Sequence, residues 1–239
     1  MSLDPAALRR QLLSDGASDI GFADLCPLDA SAWPSAISIL VALDPRALTG
    51  IVDSPDDAYH REYGRANDRL AALAGTAEAS LVEAGYRAAA LPPTTEAYDP
   101  ATLSAPFPHK TAATLAGLGW IGRSALLVTP SWGAAIRLAT VLTDAPLPPG
   151  LAPVTRSGCG SCRQCVAACP GGAITGAAWH AGMPREALVD AAACERTARR
   201  LARRAGIPAT ICGVCVVRCT RTMGRTVPAG RERPGRDRG

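Results

Sequence analysis

Eight of the nine cysteines fall between positions 159 and 219. Cys159, Cys162, Cys165 and Cys169 follow C-x2-C-x2-C-x3-C, with Pro170 directly after. Three thiolates at this spacing in a tight loop converge on three iron corners of one cubane. The fourth, on the helix that follows, faces away toward a second cluster. Pro170 helps turn the chain, because it fixes φ and has no N–H to donate. A second group answers the first: Cys212, Cys215 and Cys219 in C-x2-C-x3-C, with Cys194 upstream. The expected partition puts Cys159, Cys162, Cys165 and Cys219 on one [4Fe–4S] cluster. Cys169, Cys194, Cys212 and Cys215 take the other, and all eight are used. Zinc is the competing reading, since paired C-x2-C groups also build closed tetrahedral ribbons. Four cysteines within eleven residues, followed by proline, and three histidines none of which stands at finger spacing, favour iron–sulfur.

Cysteine density divides the 239 residues. The expected organisation is an α/β domain over 1–150, a double-cluster ferredoxin-like domain over 151–222 and a basic disordered tail over 223–239. LTDAPLPPGLAPVTRSG, rich in Pro and Gly, reads as the linker. Large apolar residues are few in 151–222, so the clusters are expected to contribute to folding there. Cys26, remote from the others, reads as a buried, unreactive thiol.

The first part has the elements to position a site. Asp4 or Ser2 caps a helix to about Asp15, with Leu8, Leu12 and Leu13 on one face. Ser35–Leu43 reads as a buried strand and Tyr86–Leu91 as another. A long helix over 55–84 is expected to be broken or eased near Gly64 and Gly75. A helix over 110–116 ends at Gly117. ALLVTP and AIRLATVLTD flank SWGA as a hairpin turning at Gly133. The sum is an α+β chain whose first domain is a mixed α/β sandwich, helices on a mixed sheet. Gly117, Gly119 and Gly122 form G-x-G-x-x-G, but ahead of a strand rather than opening a helix after one, so a dinucleotide fold is not implied. They read as a tight turn approaching a cofactor or, equally, as structure alone.

Net charge is +4, unevenly spread. From Arg196 onward there are 12 Arg and 2 acids, against 13 Lys+Arg and 19 acids before it. Lys110 is the sole lysine. Arg199, Arg200, Arg203 and Arg204 sit at helical spacing, either a solvated face or a docking surface for tRNA or a redox partner. The N-terminus has no apolar signal segment, and no run approaches the roughly 18–20 apolar residues of a membrane span. A cytoplasmic protein with no membrane contact is expected; in that compartment clustered cysteines point to metal rather than disulfides.

HKTAATLAGLGWIGRSALLVTPSWGAAIRLATVLTDAPLP (109–148), AYHREYGRANDRLAAL (58–73) and the eight cysteines together resemble the epoxyqueuosine reductase family. AGLGWIG is the most distinctive piece. The resemblance implies a corrinoid-binding domain, distantly similar to nitroreductase-type folds, joined to a two-cluster ferredoxin-like domain. It implies electrons passing from a flavodoxin or ferredoxin through two [4Fe–4S] clusters to a cobalamin, with tRNA as substrate and the same cysteine partition. It also brings Gly117, Gly119, Trp120 and Gly122 forward as cofactor-binding residues. In that family an aspartate fourteen residues before the first glycine of the block supplies a proton; here that position is Leu103. His109, Glu96 and Asp99 are the nearby replacements. Cys219 is followed by Thr220 where the family has proline, and the C-terminal repeat extension is missing, as in a shortened paralogue. Three functions are therefore open: a reductase with a tRNA or small-molecule substrate, an electron carrier without chemistry of its own, and a tRNA-binding protein with structural clusters.

Overall fold

The computed structural model describes residues 3–28, 33–91, 93 and 98–222. Glu96 and the 223–239 segment lie outside the described residues. Helix α1 (Pro5–Ser14) starts at Asp4, whose carboxylate accepts the N–H groups of Ala6 and Ala7, and Pro5 at the first position needs no hydrogen bond there. Strand β1 (Asp19–Asp24) leads to β2 (Ser35–Ala42), in which every residue but the last is buried. Helix α2 (Asp57–Glu83) follows, capped by Asp56. It runs unbroken through Gly64 and Gly75, contrary to the expected easing. Both glycines face open space, and the apolar stripe Tyr59, Ala66, Leu70, Leu73, Ala77 and Leu81 holds the helix straight against the sheet. Strand β3 (Ala88–Leu91), α3 (His109–Leu115), β4 (Trp120–Ile121), β5 (Leu127–Val128) and β6 (Ile136–Thr143) complete the first part.

The main sheet has the order β1-β2-β6-β3, and every pairing in it is antiparallel. The expected mixed sheet is thus corrected. So is the expected hairpin around Gly133. β5 pairs with β4, not β6, because β6 is claimed on both edges by β2 and β3. The turn itself survives as a closed loop in which Thr129 and Gly133 exchange both backbone hydrogen bonds. Helices α1 and α2 cover one face, packing Leu12, Leu70 and Leu81 against Ile37, Ile39 and Val141. α3 covers the other, with Ala112, Ala113 and Ala116 against Ala36, Leu40 and Leu142. Burying a Leu, Ile or Val side chain contributes about 1.5–3 kcal/mol.

The cysteine-rich part carries α4 (Gln164–Ala167), α5 (Ala191–Arg204) and α6 (Val214–Val217). Its own apolar cluster is small, Trp179 with Ala173, Leu188 and Val189 around Ala125. Its other apolar residues, Ala202, Ile207, Ile211, Val214 and Val216, join the core beneath α2. The chain is fastened back at both ends of this part. Val154 N–H donates to the Thr114 carbonyl at the end of α3. Ala134 N–H donates to Oγ1 of the buried Thr222 at 3.0 Å. No helix among the described residues is long and apolar enough to cross a membrane.

Candidate functional site

Cys159, Cys162, Cys165 and Cys219 line one cavity of about 370 Å³, shared with Trp120, Gly122, Arg123, Arg218, Thr220 and Arg221. The loop that presents the first three is clamped by a single side chain. Arg123 donates from Nε to the Cys162 carbonyl at 3.1 Å, from Nη2 to the Gly160 carbonyl at 2.7 Å, and from Nη1 to the Gly176 carbonyl. Gly160 itself sits at φ +55°, which a side chain would resist. Burial alone would push the Cys159 thiol up. Hydrogen bonding by the Ser157 and Trp120 side chains and by the Arg123 backbone, with the charge of Arg123, holds it below the ordinary range. Trp120 Nε1 is buried without a hydrogen-bond partner among the described residues, and its indole stands beside the Cys159 thiol. Thr220 Oγ1 lies 3.8 Å from Cys162 Sγ.

The other four thiols act on one another. The Cys215 thiol is pushed up by burial and then by the charges of Cys194, Cys212, Cys165 and Cys169. Cys194 is pushed up by burial, then by Cys169, Cys212, Asp190 and Glu195. All nine cysteines are free thiols. Among the described residues no three His, Cys, Asp or Glu side chains are gathered as a single-ion site.

A larger cleft of about 540 Å³ opens between α3, β6 and the cysteine-rich part. The β4–β5 hairpin is the wall between the two spaces: Ile121 and Leu127 line the cleft, Trp120, Gly122 and Val128 the thiol cavity. This follows from strand alternation, which points neighbouring side chains to opposite faces. The cleft is mainly apolar, with Tyr59, His109, Lys110, Arg137, Arg185 and Glu186 as its charged or titratable lining. Lys110 Nζ donates to the Ala125 carbonyl at 2.5 Å. Burial, then the charge of Arg185, lowers its ammonium to about 8. His109 Nδ1 is 2.9 Å from Thr140 Oγ1. Leu103 stands at the rim with φ +53°, a conformation unfavourable for a leucine.

No protein-family model matches the chain. Curated relatives do. It is 47% identical over 72 residues to an epoxyqueuosine reductase of Synechococcus sp. (strain RCC307), covering 30% of this chain and 22% of that protein. It is 34% identical over 138 residues to that of Burkholderia pseudomallei (strain K96243), covering 55% and 30%. With the Vibrio cholerae protein it shares 28% over 177 residues, 69% of this chain and 42% of the relative. The chain is related to the epoxyqueuosine reductases. It spans less than half the length of these relatives. Among solved structures, a catabolic reductive dehalogenase in complex with 3-bromo-4-hydroxybenzoic acid matches with TM-score 0.66 at 23% identity, over 90% of this chain and 31% of that one. An epoxyqueuosine reductase with a modified tRNA-Tyr stem loop matches with TM-score 0.57 at 19% identity, over 94% and 68%. These likenesses describe the fold.

Within this chain the glycine block is dispersed. Trp120 and Gly122 line the thiol cavity, and a Cβ on Gly122 would lie 3.5 Å from Cys159 Sγ. Gly117 and Gly119 line neither cavity. A Cβ on Gly117 would meet the Ala152 carbonyl at 2.7 Å, and one on Gly119 the Val128 carbonyl at 2.4 Å, so both serve close backbone approach. Asp99 is exposed and spends its carboxylate on the Ala101 N–H and the Thr102 hydroxyl, away from the cleft. Cys26 is exposed rather than buried, because it opens a short 3-10 turn beyond the edge strand β1, where Asp24 receives its N–H. Arg123 and Arg185 went unread in the sequence: nothing in an Arg-rich chain marks two arginines as clamps. Lys110 had a signal, its uniqueness beside His109.

Proposed function

We propose that this chain is an iron–sulfur reductase that passes electrons through two [4Fe–4S] clusters to a substrate in the cleft. The carrying observation is that Cys159, Cys162, Cys165 and Cys219 line one cavity although Cys219 is 54 positions beyond Cys165. Cys169, Cys194, Cys212 and Cys215 hold the second cluster, a set supported by their mutual influence. A tetrahedral zinc site needs its thiolates about 3.8 Å apart, from Zn–S bonds of about 2.3 Å. A cubane spreads them over four irons, which suits four thiols lining one cavity. The buried Trp120 N–H, without a hydrogen-bond partner among the described residues, fits a cluster sulfur.

The cleft suits a corrinoid in part. Apolar walls of Leu43, Ile136 and Leu138 match a macrocycle face, while the lining Arg137 and Arg185 are held by Asn67 and Tyr63 and by the Thr102 and Leu103 carbonyls. A corrinoid bound there supplies a metal centre that accepts single electrons. The chain's own residues do the rest: apolar side chains exclude water, and Lys110, lowered to about 8, holds a proton near neutrality where Leu103 has none to give. His109 is the second group within reach of the cleft. Its substrate is a tRNA base or a small molecule, its reductant a flavodoxin or ferredoxin, and its compartment the cytoplasm. Residues 1–150 form the catalytic half, 151–222 the two-cluster ferredoxin-like half and 223–239 a basic tail.

The test is an anaerobic EPR spectrum of the iron-loaded chain mixed with cob(II)alamin. A changed cobalt signal beside reducible clusters supports the reductase. A free-cobalamin signal beside reducible clusters leaves an electron carrier, and absence of cluster signals overturns the reading.

A further inference from the structure

α5 carries Arg196, Arg199, Arg200, Arg203 and Arg204 against a single acid, Glu195. All five arginines are exposed, and together they line a surface groove along the helix. Arg199 pairs with Glu195. Arg203 and Arg204 complement the helix C-terminus, which accounts for two charges of the five. The same helix carries Cys194, which alone among the eight clustered cysteines is exposed. Ala198 and Ala202 on the opposite face are buried, and Ala202 joins the main core, so the basic face is turned outward.

Resting on the iron–sulfur reading above, we propose that the exposed face of α5 is the docking surface for an acidic one-electron carrier protein, with electrons entering at the cluster that Cys194 helps to hold. A thiolate-bound cluster is itself anionic, and Asp190 and Glu195 add to that charge beside Cys194. An acidic carrier would be repelled from this point without the arginines. With them the field reverses and steers the carrier to it, a gain of about 10- to 1,000-fold in association rate at low salt. α5 carries no aromatic residue on which a nucleic-acid base would stack, which favours a protein partner over RNA. In the transfer the carrier's reduced flavin or cluster loses one electron and the chain's oxidised cluster gains it; no bond forms or breaks.

The experiment uses the full chain with iron and sulfide reconstituted, in anaerobic stopped flow. Reduction by a reduced, net-acidic flavodoxin is compared with reduction by photoexcited deazaflavin, a small donor with no docking surface. For R196E/R200E/R203E the flavodoxin rate constant is expected to fall at least tenfold while the deazaflavin rate is unchanged. The parent's flavodoxin rate should fall steeply with salt. R200Q/R203Q, a milder change, should fall between the two. An unchanged flavodoxin rate, or equal losses with both donors, overturns the proposal. So does loss of RNA binding with electron transfer intact. A parent chain with no reducible cluster overturns it together with the reading it rests on, and iron content distinguishes that failure from the others.

Discussion

Arg185 Nη1 donates to the Leu103 carbonyl at 2.7 Å, across 82 positions of sequence. Its Nη2 donates to the neighbouring Thr102 carbonyl at the same distance. One guanidinium from the cysteine-rich part thereby holds the rim of the cleft at the position where the resemblance expects an acid. Hydrogen bonds from a charged donor contribute about 1.5–3 kcal/mol each when buried and less here, where the side chain is partly exposed. Arg185→Met should therefore destabilise the chain by about 1–3 kcal/mol in denaturant melts and expose the 99–104 turn to protease. An unchanged midpoint with an unchanged cleavage pattern would show the clamp to be idle.

The same substitution bears on Lys110, the sole lysine. Labelling with 15N-lysine gives one Nζ resonance, which should titrate at about 8. Removing the Arg185 charge should move that midpoint upward. The unfolded chain keeps its lysine proton to about 10.4. Between about 8 and that value the unfolded state binds more protons, so this group's contribution to stability rises with pH across that window. Below pH 8 its burial cost is fully present. Titration above pH 10 in the parent would remove Lys110 as the proton source.

The cysteine partition makes a paired prediction. Cys159→Ala and Cys219→Ala should each lower iron from about eight to about four atoms per chain and erase the same EPR signal. Cys169→Ala and Cys212→Ala should erase the other. Loss of different signals within either pair would refute the partition.

Trp120 can be tested apart from the ligands. A hydrogen bond to a cluster thiolate favours the reduced state. Trp120→Phe is expected to lower the midpoint potential of the Cys159 cluster and leave the second unmoved in an EPR-monitored redox titration. Equal shifts, or none, would mean the indole serves packing only.

Gly119→Ala should cost about 1–3 kcal/mol, the usual penalty for forcing atoms into a filled site. Its Cβ would lie 2.4 Å from the Val128 carbonyl, which the β4–β5 pairing cannot yield. A thermal melt decides it; a neutral outcome would show that the hairpin gives way.

Residue spacing along the chain carries the covalent and periodic facts. Cysteine spacing in the 159–169 loop is local geometry, and so was legible. So were Asp4 before α1, the apolar face of α1 and the apolar run of β2, because caps and periodicity act within a few residues. Tertiary structure decided everything that joins distant segments. In sequence β6 had the ALLVTP run as its expected partner, and only the competition between β5, β2 and β3 for its edges settled that this hairpin does not form. Trp120 and Gly122 were read with Gly117 and Gly119 as one block, yet strand alternation sends the first two to the thiol cavity. Arg123 and Arg185 became clamps because folding set carbonyls in front of them. Hydrogen bonding is decided by proximity in space, and a sequence records proximity only along the chain.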